Sequence, residues 1–238
     1  MLVLANTKRW LKTSQNPFAR NMFILAKRII HFDIPAPGFI VSPLYTLFLF
    51  VKTSWQNFIR IFFWTPLFKG RLKQCGNSLY LYGGLPYISG PVNIKLGDNC
   101  RISAQSTITG RSSASSPPLL KVGSNIDIGW MTTIAVGSKI VIGDNVRIAG
   151  RALLAGYPGH PLDAEARAAG APETDDQVGD IILEKDVWLA TGVSVMAGVT
   201  IGAGTVVAAG SVVTHDLPPG ILAGGIPAKK IKDISTAQ

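Results

Sequence analysis

The sequence feature that most constrains the fold is a six-residue repeat between positions 183 and 217. Apolar residues occupy every sixth position of this stretch without a break, namely Leu183, Leu189, Val195, Ile201, Val207 and Val213. A period of six matches neither an amphipathic helix nor the alternation of a half-buried strand. Repeats at a fixed interval form solenoids, in which each short unit buries its apolar side by stacking on the next. Hexapeptide repeats in particular predict an all-β fold, the parallel β-helix.

The same interval continues upstream, so the repeat domain is predicted to span residues 76–222. Further hexads are marked by Leu96, Ile102, Ile108, Val122, Ile128, Ile134, Ile142, Ile148 and Leu154. Three hexads make one turn of a triangular coil, which predicts about five turns or more. Two segments break the period: the polar stretch 111–118 and the stretch 157–180, which we interpret as a loop ejected from a corner of the coil. The period also shifts by two residues between Ile134 and Ile142. Residues 223–238 are interpreted as a C-terminal tail.

The positive charge of the chain lies in its N-terminal third. The whole sequence has a formal net charge of +9, whereas residues 1–75 hold eleven Lys or Arg residues and one acid, Asp33, which gives them +10 and leaves −1 for the rest. The basicity therefore says nothing about the ligand of the repeat domain, and we expect no nucleic-acid partner.

Residues 1–75 are predicted to form a basic, amphipathic helical segment. The first 17 residues are polar and basic, and we expect them to lack regular structure. Apolar residues from Phe18 to Phe32 follow helical spacing. Three prolines then precede Leu44 and argue against one continuous helix through this region, namely Pro35, Pro37 and Pro43.

From Leu44 onward, one helix face is apolar and aromatic, whereas Lys52, Gln56 and Arg60 follow the other face. A broad apolar face with a narrow basic stripe is typical of a helix that lies in a membrane interface. Anionic lipid head groups also attract clustered cations. We therefore predict that residues 18–68 contact a membrane surface. The alternative is a helix that packs on the repeat domain or within an oligomer.

The cysteines and histidines argue against a metal site. Cys75 and Cys100 lie in no metal-binding spacing, and Cys100 falls on a core position of the repeat. A zinc enzyme of the carbonic anhydrase type needs three histidine ligands, but the chain has only His31, His160 and His215, and His31 falls in the N-terminal helical segment. We expect no metal. The cysteine usage fits a reducing compartment, and the N-terminus lacks the apolar stretch of a secretory signal.

Five motifs follow one another in the second half of the chain: IGDNV (142–146), GHPLDAEARAAG (159–170), DVWLATGVSVMAGVTIG (186–202), VVAAGSVVTHDLPPG (206–220) and AGGIPAKKIKDI (223–234). In this order they resemble the hexapeptide-repeat O-acetyltransferases, the group that contains galactoside, maltose and nodulation-factor acetyltransferases. The resemblance implies a left-handed parallel β-helix, a homotrimer, acetyl-coenzyme A as acyl donor and a sugar hydroxyl as acceptor.

His160 corresponds to the catalytic histidine of that family. A sugar hydroxyl becomes a good nucleophile only as its proton is removed, and an imidazole with a pKa near about 6.5 can accept this proton near neutral pH. The same ring can pass the proton to the departing thiol, so we expect direct transfer in a ternary complex. Asp163 could orient the ring; a turn-forming or surface role is the alternative.

The resemblance also implies a coenzyme A site along the last coils. The residues that correspond to cofactor contacts are Thr191, Ala209, Thr214, His215, Lys229 and Lys232, and Trp188 corresponds to a Trp near the reacting centre. The two lysines would attract the phosphates of the nucleotide, or they could belong to a solvated tail. His215 departs from the family pattern, which often has Lys there. Trp188 could instead be a capping aromatic between coils.

The acceptor-binding residues of the family do not carry over, because the corresponding positions hold Gly129 and Gly137. Trp130 or Asp127 is a candidate replacement, since a Trp ring can stack on a sugar.

Together these features predict an acetyl-coenzyme A-dependent O-acetyltransferase of bacterial exopolysaccharide or lipopolysaccharide biosynthesis. We expect it to modify a saccharide, with lipid-linked acceptors included, at the cytoplasmic face of the membrane. One alternative keeps the chemistry but uses a soluble acceptor, such as an antibiotic or an amino sugar. The other alternative is a non-catalytic β-helix that only binds a ligand.

Overall fold

The computed structural model describes residues 2–234 and divides the chain into two compact units, Met1–Thr53 and Ser54–Gln238. The first unit is helical: α1 spans Leu2–Thr13, α2 spans Pro17–Ile30, and α3 begins at Gly38 and ends at Ile59. The expectation that the first 17 residues lack regular structure was wrong, since α1 forms within them.

The start of α2 follows from its cap. The side-chain oxygen of Asn16 accepts the backbone N–H of Phe18 at 2.9 Å. Pro17 occupies the first helical position, where the N–H that it lacks would have no partner within the helix. The helix expected from Phe18 is therefore confirmed.

The prolines do not interrupt α3 in the way the sequence predicted. Pro35 and Pro37 lie before the helix, and the Pro37 carbonyl accepts the N–H of Ile40, in the first turn of the helix, at 2.9 Å. Pro43 lies inside α3, where its ring removes a single N–H···O=C bond. The helical pattern of the surrounding residues outweighs this loss.

α3 continues without a break into the second unit. A π-helical turn (Arg60–Trp64) joins it to α4 (Thr65–Arg71). The stretch Gly38–Arg71 has 34 residues and is, within the described part of the chain, the one helix long and apolar enough by length and composition to cross a membrane. None of its most apolar window is buried.

The strands of the second unit form three sheets, which are the three faces of a coil. The first sheet contains β1 (Gln74–Cys75), β4 (Asn93–Leu96), β7 (Leu119–Val122), β10 (Lys139–Ile142), β13 (Ile181–Leu183) and β16 (Thr200–Ile201). The second sheet contains β2 (Tyr80–Tyr82), β5 (Arg101–Ser103), β8 (Asp127–Ile128), β11 (Arg147–Ile148), β14 (Trp188–Leu189), β17 (Val206–Val207), β19 (Ile221–Gly225) and β20 (Ala228–Asp233). The third sheet contains β3 (Tyr87–Ser89), β6 (Thr107–Gly110), β9 (Thr133–Val136), β12 (Leu153–Ala155), β15 (Ser194–Met196) and β18 (Val212–Val213).

The strands of each sheet are parallel, except that β20 runs antiparallel to β19. One coil takes one strand from each sheet, so the described residues form six complete coils and part of a seventh. The hexad positions point inward as predicted: the marker residues from Leu96 to Val213 are at most 3% exposed. Burying a Val, Leu or Ile side chain contributes about 1.5–3 kcal/mol, so this column is the main source of stability.

A ladder of polar side chains explains how the coil turns its first corner, between the first and second sheets. Asn99, Asn125, Asn145 and Asp186 all have positive φ angles there, from 55° to 64°. Asn and Asp tolerate this left-handed conformation better than other side chains. Asn125 donates to Asn145 at 2.8 Å, and Asn145 donates to Asp186 at 2.9 Å. The side chains therefore pair from coil to coil along the corner.

Both ends of the coil differ from the predicted boundaries. Phe68 of α4 is 2% exposed and belongs to the apolar core. Arg71 donates to the carbonyls of Val92 and Gly90 at 3.1 Å each. The coil begins with β1, inside the segment predicted as helical, and β20 forms a hairpin within residues 223–238, which were predicted as a tail.

Candidate active site

The insertion that carries His160 leaves the coil at the third corner, where the chain passes from β12 in the third sheet to β13 in the first sheet. Residues 157–180 separate these two strands and contain α5 (Ala164–Ala168) and a single 3-10 turn. His160 lies near the start of the insertion, and its side chain is exposed. A single chain therefore presents this imidazole on its surface.

The insertion folds back over the outside of the third sheet. The Tyr157 hydroxyl forms a hydrogen bond with the hydroxyl of Thr109, on β6, at 3.2 Å. A mainly apolar hollow of about 370 Å³ lies beside it, lined among others by Leu162 and by Met196 of β15. Tyr157 thus holds the start of the insertion against the third sheet, three residues before His160.

The backbone that follows His160 is fixed from within the insertion. Arg167 donates to the carbonyls of Pro161 and Leu162 at 3.0 and 2.9 Å. Asp163 caps α5, because its carboxylate accepts the N–H of the third residue of that helix, at position 166, at 2.8 Å. The structure therefore gives Asp163 the turn-forming role, and its carboxylate is engaged away from the imidazole.

A buried ion pair holds the far end of the insertion. Arg111 begins the polar stretch 111–118, which leaves the same corner two coils earlier. Its Nε lies 2.6 Å from Glu173 Oε1, and its Nη1 lies 2.7 Å from Asp175 Oδ1. Ser113 also donates to Glu173, at 2.7 Å. The side chains of Arg111 and Glu173 are only 8% and 5% exposed, so the two insertions are joined by a desolvated, fully hydrogen-bonded contact.

This contact makes the insertion sensitive to acid. Burial opposes ionisation of Glu173, but hydrogen bonds from Ser113 and Arg111 outweigh it and hold the pKa of this carboxyl below its ordinary value. A carboxyl whose pKa is lower in the folded protein than in the unfolded chain stabilises the fold at any pH above its unfolded-state pKa. This stabilisation is lost as the pH falls through its folded-state pKa.

We therefore expect the far end of the insertion, around Glu173, to become less stable below about pH 4, since an unperturbed Glu titrates near about 4.3. Hydrogen exchange of residues 171–178, corrected for intrinsic rates, should show less protection at about pH 3 than at about pH 6. The Glu173→Gln variant should lose most of this difference. Equal pH dependence in both proteins would show that another group is responsible.

The residues predicted to bind coenzyme A lie at two corners of the last coils. Thr191 and Ala209 follow β14 and β17 at the second corner, between the second and third sheets, and the N–H of Gly210 donates to the Thr191 carbonyl at 2.9 Å. Thr214 and His215 follow β18 at the third corner, where the Thr214 hydroxyl and His215 Nδ1 are 2.8 Å apart. The predicted side chains at both corners are exposed. They flank the upper part of the third sheet, as does the insertion with His160.

The other predicted residues lie on the second sheet. Lys229 and Lys232 are exposed on β20, at the last edge of that sheet. Trp188 projects from β14 and is 51% exposed. One copy of the chain therefore does not enclose all the predicted residues in one cavity: some lie on the second face of the coil and the rest around the third.

A shallow hollow of about 220 Å³ lies beside Trp188 on the second sheet. Asp127, Arg147 and Tyr82 line it, and Gly129 belongs to its floor. Gly129 is one of the two positions where the sequence lacks an acceptor-binding side chain of the family. A Cβ at Gly129 would lie only 2.6 Å from the backbone nitrogen of Gly150, so backbone lines the hollow there, and a ligand could contact the indole, the carboxylate and the guanidinium around it.

Trp130 lies next to this hollow, at the second corner. A Cβ at Gly150 would lie only 2.6 Å from the indole nitrogen of Trp130, so glycine is needed for the ring to pack there. The guanidinium of Arg151 lies 4.9 Å from the ring centre. Backbone hydrogen bonds place Trp130 in the same corner column as Thr191. The ring could therefore serve a ligand bound along this corner.

The His, Cys, Asp and Glu side chains are dispersed in the part of the chain that the structure describes. Within residues 2–234, no three His, Cys, Asp or Glu side chains converge to form a possible metal site. Cys100 is fully buried, and burial raises the pKa of its thiol to about 11. It stays protonated at neutral pH and acts as a small core residue.

Known proteins share the hexapeptide repeats and part of the sequence of this chain. The family model described as bacterial transferase hexapeptide (six repeats) matches residues 180–215. Galactoside O-acetyltransferase of Escherichia coli (strain K12) is 36% identical over 125 residues, which cover 50% of this chain and 59% of that protein. The chain spans less than two thirds of the length of the curated relatives that it matches.

Solved structures show the same fold. A hexapeptide-repeat-containing acetyltransferase from Vibrio cholerae O1 biovar eltor, complexed with acetyl-coenzyme A, is 27% identical with a TM-score of 0.50, over 72% of this chain and 76% of that chain. AntD, an N-acyltransferase from Bacillus cereus, is 23% identical with a TM-score of 0.59, over 72% of this chain and 89% of that chain. The predicted fold class, a left-handed parallel β-helix with an N-terminal helical segment, is confirmed. By its repeats, its coil and part of its sequence, the chain is similar to the hexapeptide-repeat acetyltransferases.

Proposed function

We propose that the protein transfers an acetyl group from acetyl-coenzyme A to a hydroxyl of a saccharide. The observation that carries this proposal is the exposed His160, in an insertion anchored by Tyr157 at one end and by Glu173 at the other. Two relatives support the donor and the acceptor: the Vibrio cholerae structure contains acetyl-coenzyme A, and the Escherichia coli relative is a galactoside O-acetyltransferase.

The chemistry needs one proton carrier. His160, as a neutral imidazole, accepts the proton of the acceptor hydroxyl while that oxygen attacks the thioester carbon. The carbon–sulfur bond then breaks, and the imidazolium returns the proton to the departing sulfur, which leaves as a thiol. Because donor and acceptor are held side by side, no acyl-enzyme forms. Lys229 and Lys232 attract the phosphates of the coenzyme.

A homotrimer would complete this site. Trp188 and the two lysines lie on the second sheet, whereas His160 and Thr191 lie beside the third sheet. A groove between two copies would bring the second face of one chain against the third face of its neighbour. We therefore propose that the coenzyme lies in three such grooves, one at each boundary between copies.

Purified full-length protein, acetyl-coenzyme A and a panel of saccharides test the proposal. We expect one acceptor to gain the mass of one acetyl group while free thiol accumulates in equal amount. Transfer only to a small soluble acceptor, such as an antibiotic or an amino sugar, would contradict the proposed saccharide acceptor and favour that class of acceptor. Binding of acetyl-coenzyme A without turnover of any acceptor would favour a non-catalytic binding protein.

We also propose that the protein lies on the inner face of the cytoplasmic membrane, where a lipid-linked saccharide and acetyl-coenzyme A are both available. The support is the apolar surface of α3, on which Leu47, Phe50 and Val51 are 57%, 69% and 57% exposed. Such a surface in water is costly unless another apolar phase covers it.

Flotation with vesicles that contain anionic lipid tests this location. The wild-type chain should float with the vesicles, and the triple change Leu47→Glu, Phe50→Glu and Val51→Glu should lower the bound fraction about tenfold or more, because each carboxylate must leave water to enter the bilayer. The matched control adds the same charge to exposed polar positions of the coil: Gln105→Glu, Ser115→Glu and Ser116→Glu. Equal flotation of both variants would contradict a membrane contact through α3.

A further inference from the structure

We infer that the early coils of the second sheet bind the phosphate group that joins a lipid to its saccharide. The carrying feature is the cation–aromatic column, which we define as Tyr80, Arg101, Asp127, Arg147 and Trp188. These five residues are aligned in register on five successive strands, from β2 to β14. The assignment of the saccharide as an acetyl acceptor rests on the proposed function, whereas the phosphate site does not.

Two guanidinium groups meet at the lower end of the column. The Cζ of Arg60, in the π-helical turn, lies 4.4 Å from the ring centre of Tyr80. The Cζ of Arg101 lies 5.8 Å from the same ring and 5.6 Å from the ring of Tyr82. Cation–π contact uses the face of a guanidinium, and its N–H donors lie in the plane at its edge. Both arginines are therefore held in place with donors left for an oxyanion.

The protein itself uses only part of this donor capacity. Arg101 places Nη1 3.3 Å from Asp127 Oδ2, and its side chain remains 58% exposed. Arg60 Nε donates to Asn57 at 3.4 Å. Arginine has five N–H donors in a planar fork that matches a phosphate. Each guanidinium thus has donors left for a second partner.

The charge of the column favours a dianion. Arg101 and Arg147 of the column, together with the neighbouring Arg60, carry three positive charges against the one carboxylate of Asp127, which leaves a formal excess of two. Arg147 donates to the backbone carbonyl and, at 3.1 Å, to the side chain of Asn125. It therefore acts as a fixed positive charge above Asp127 rather than as a mobile surface side chain.

Apolar and aromatic surfaces continue the column in both directions. The helical stretch that carries Arg60 also carries exposed rings, on the face opposite to this arginine: Trp55 and Phe58 stack with ring centres 5.8 Å apart and are 61% and 48% exposed, and Phe62 is 61% exposed. In the other direction, the hollow beside Trp188 begins at Asp127, two strand steps or roughly 10 Å from Tyr80. The exposed rings, the arginines and the hollow beside Trp188 therefore suit the lipid, the phosphate and the sugar of one ligand. A soluble sugar phosphate would leave the exposed rings of the helical stretch that carries Arg60 without a partner, so this arrangement favours the lipid-linked class.

Calorimetric titration of the full-length chain with farnesyl diphosphate, without acetyl-coenzyme A, tests this site. Farnesol and inorganic diphosphate serve as the half-ligands, and we expect each to bind at least about tenfold more weakly. Arg101→Gln and Arg60→Gln should each weaken farnesyl diphosphate binding by about tenfold or more, since each removes a charge-assisted hydrogen bond. Lys121→Gln, which removes an exposed cation from the first sheet, is the matched control and should leave the affinity unchanged. Asp127→Asn should bind at least as tightly as the wild type, because it frees Arg101.

Unchanged affinity in Arg101→Gln would overturn the inference. A loss of affinity in this variant would support it, because the side chain is exposed and its replacement should not disturb the fold. Inorganic diphosphate binding as tightly as farnesyl diphosphate would overturn the lipid-linked class. Because the titration contains no acetyl donor, its result is independent of the proposed function. Arginine-dependent binding without any acetyl transfer would support the phosphate site and contradict the proposed function.

Discussion

Replacing His160 with alanine is expected to lower kcat by about 10²–10⁴-fold, the usual contribution of a positioned general base. The KM for acetyl-coenzyme A should change little, because the residues proposed to hold the cofactor lie on other elements: Thr191 follows β14, and Lys229 lies on β20. Initial rates with the acceptor identified by the mass assay, over a range of acetyl-coenzyme A concentrations, separate the two constants.

The matched control for this variant is Glu165→Gln. Glu165 lies in the same insertion, on α5, and is also exposed. Its replacement should leave kcat close to that of the wild type, and both variants should keep the oligomeric state of the wild type. Full activity of His160→Ala would remove the imidazole from the mechanism, whereas equal losses in both variants would show that the insertion has only been disturbed.

Replacing Arg111 with methionine is expected to reduce the free energy of unfolding by about 3–5 kcal/mol, because it leaves the Glu173 carboxylate buried without a counter-charge. The residues involved are nearly inaccessible to water, so solvent cannot replace the lost partner. Urea unfolding at neutral pH measures the loss. The insertion should also lose protection in hydrogen exchange, and kcat should fall, since the far end of the segment that carries His160 is no longer held.

Two controls separate this effect from a general loss of charge. Lys139→Met breaks the exposed pair with Asp180, whose atoms are 2.8 Å apart, and should cost no more than about 1 kcal/mol. The double change Arg111→Met and Glu173→Met replaces the whole pair with apolar side chains and should recover most of the stability, since a buried pair adds little over good packing. If the double variant is as unstable as Arg111→Met, the uncompensated carboxylate is not the cause.

Much of the fold could be predicted because the apolar residues that mark the hexapeptide period are the residues that become buried. Every inward position from Leu96 to Val213 recurs at the spacing of one face of the coil, and no other secondary structure has that period. The two interruptions were equally clear, because the residues 111–118 and 157–180 contain no such markers. The first coil shows no hexad markers, since irregular turns between its strands hide the period, and its strand β1 falls just outside the predicted domain.

The helical segment was harder to predict from local rules. The low helix propensity of proline argued against a helix through Pro43. The helix forms nevertheless, because the helical pattern of the surrounding residues outweighs the loss of one backbone hydrogen bond. The hairpin of β19 and β20 was missed because its outer strand lacks the hexad pattern. An edge strand with few buried side chains shows no apolar periodicity in its sequence.

The candidate site was predictable only where a motif carries it. GHPLD marks His160, whereas no pattern links Arg111 with Glu173, because 62 residues separate them and their contact depends on two insertions leaving the same corner. The isolated Arg at the start of a serine-rich stretch was the one available signal. Likewise, the register that aligns Tyr80, Arg101 and Trp188 follows from coil stacking and not from sequence spacing.

The position of the coenzyme A sulfur is the measurement that tests the account most directly. A structure of the full-length protein bound to coenzyme A should show three copies, with each cofactor in a groove between two of them. We predict that the sulfur lies within hydrogen-bond reach of His160 Nε2, directly or through one water, and that the phosphates lie near Lys229 and Lys232. A monomer, or a cofactor whose sulfur is remote from every His160, would contradict the account.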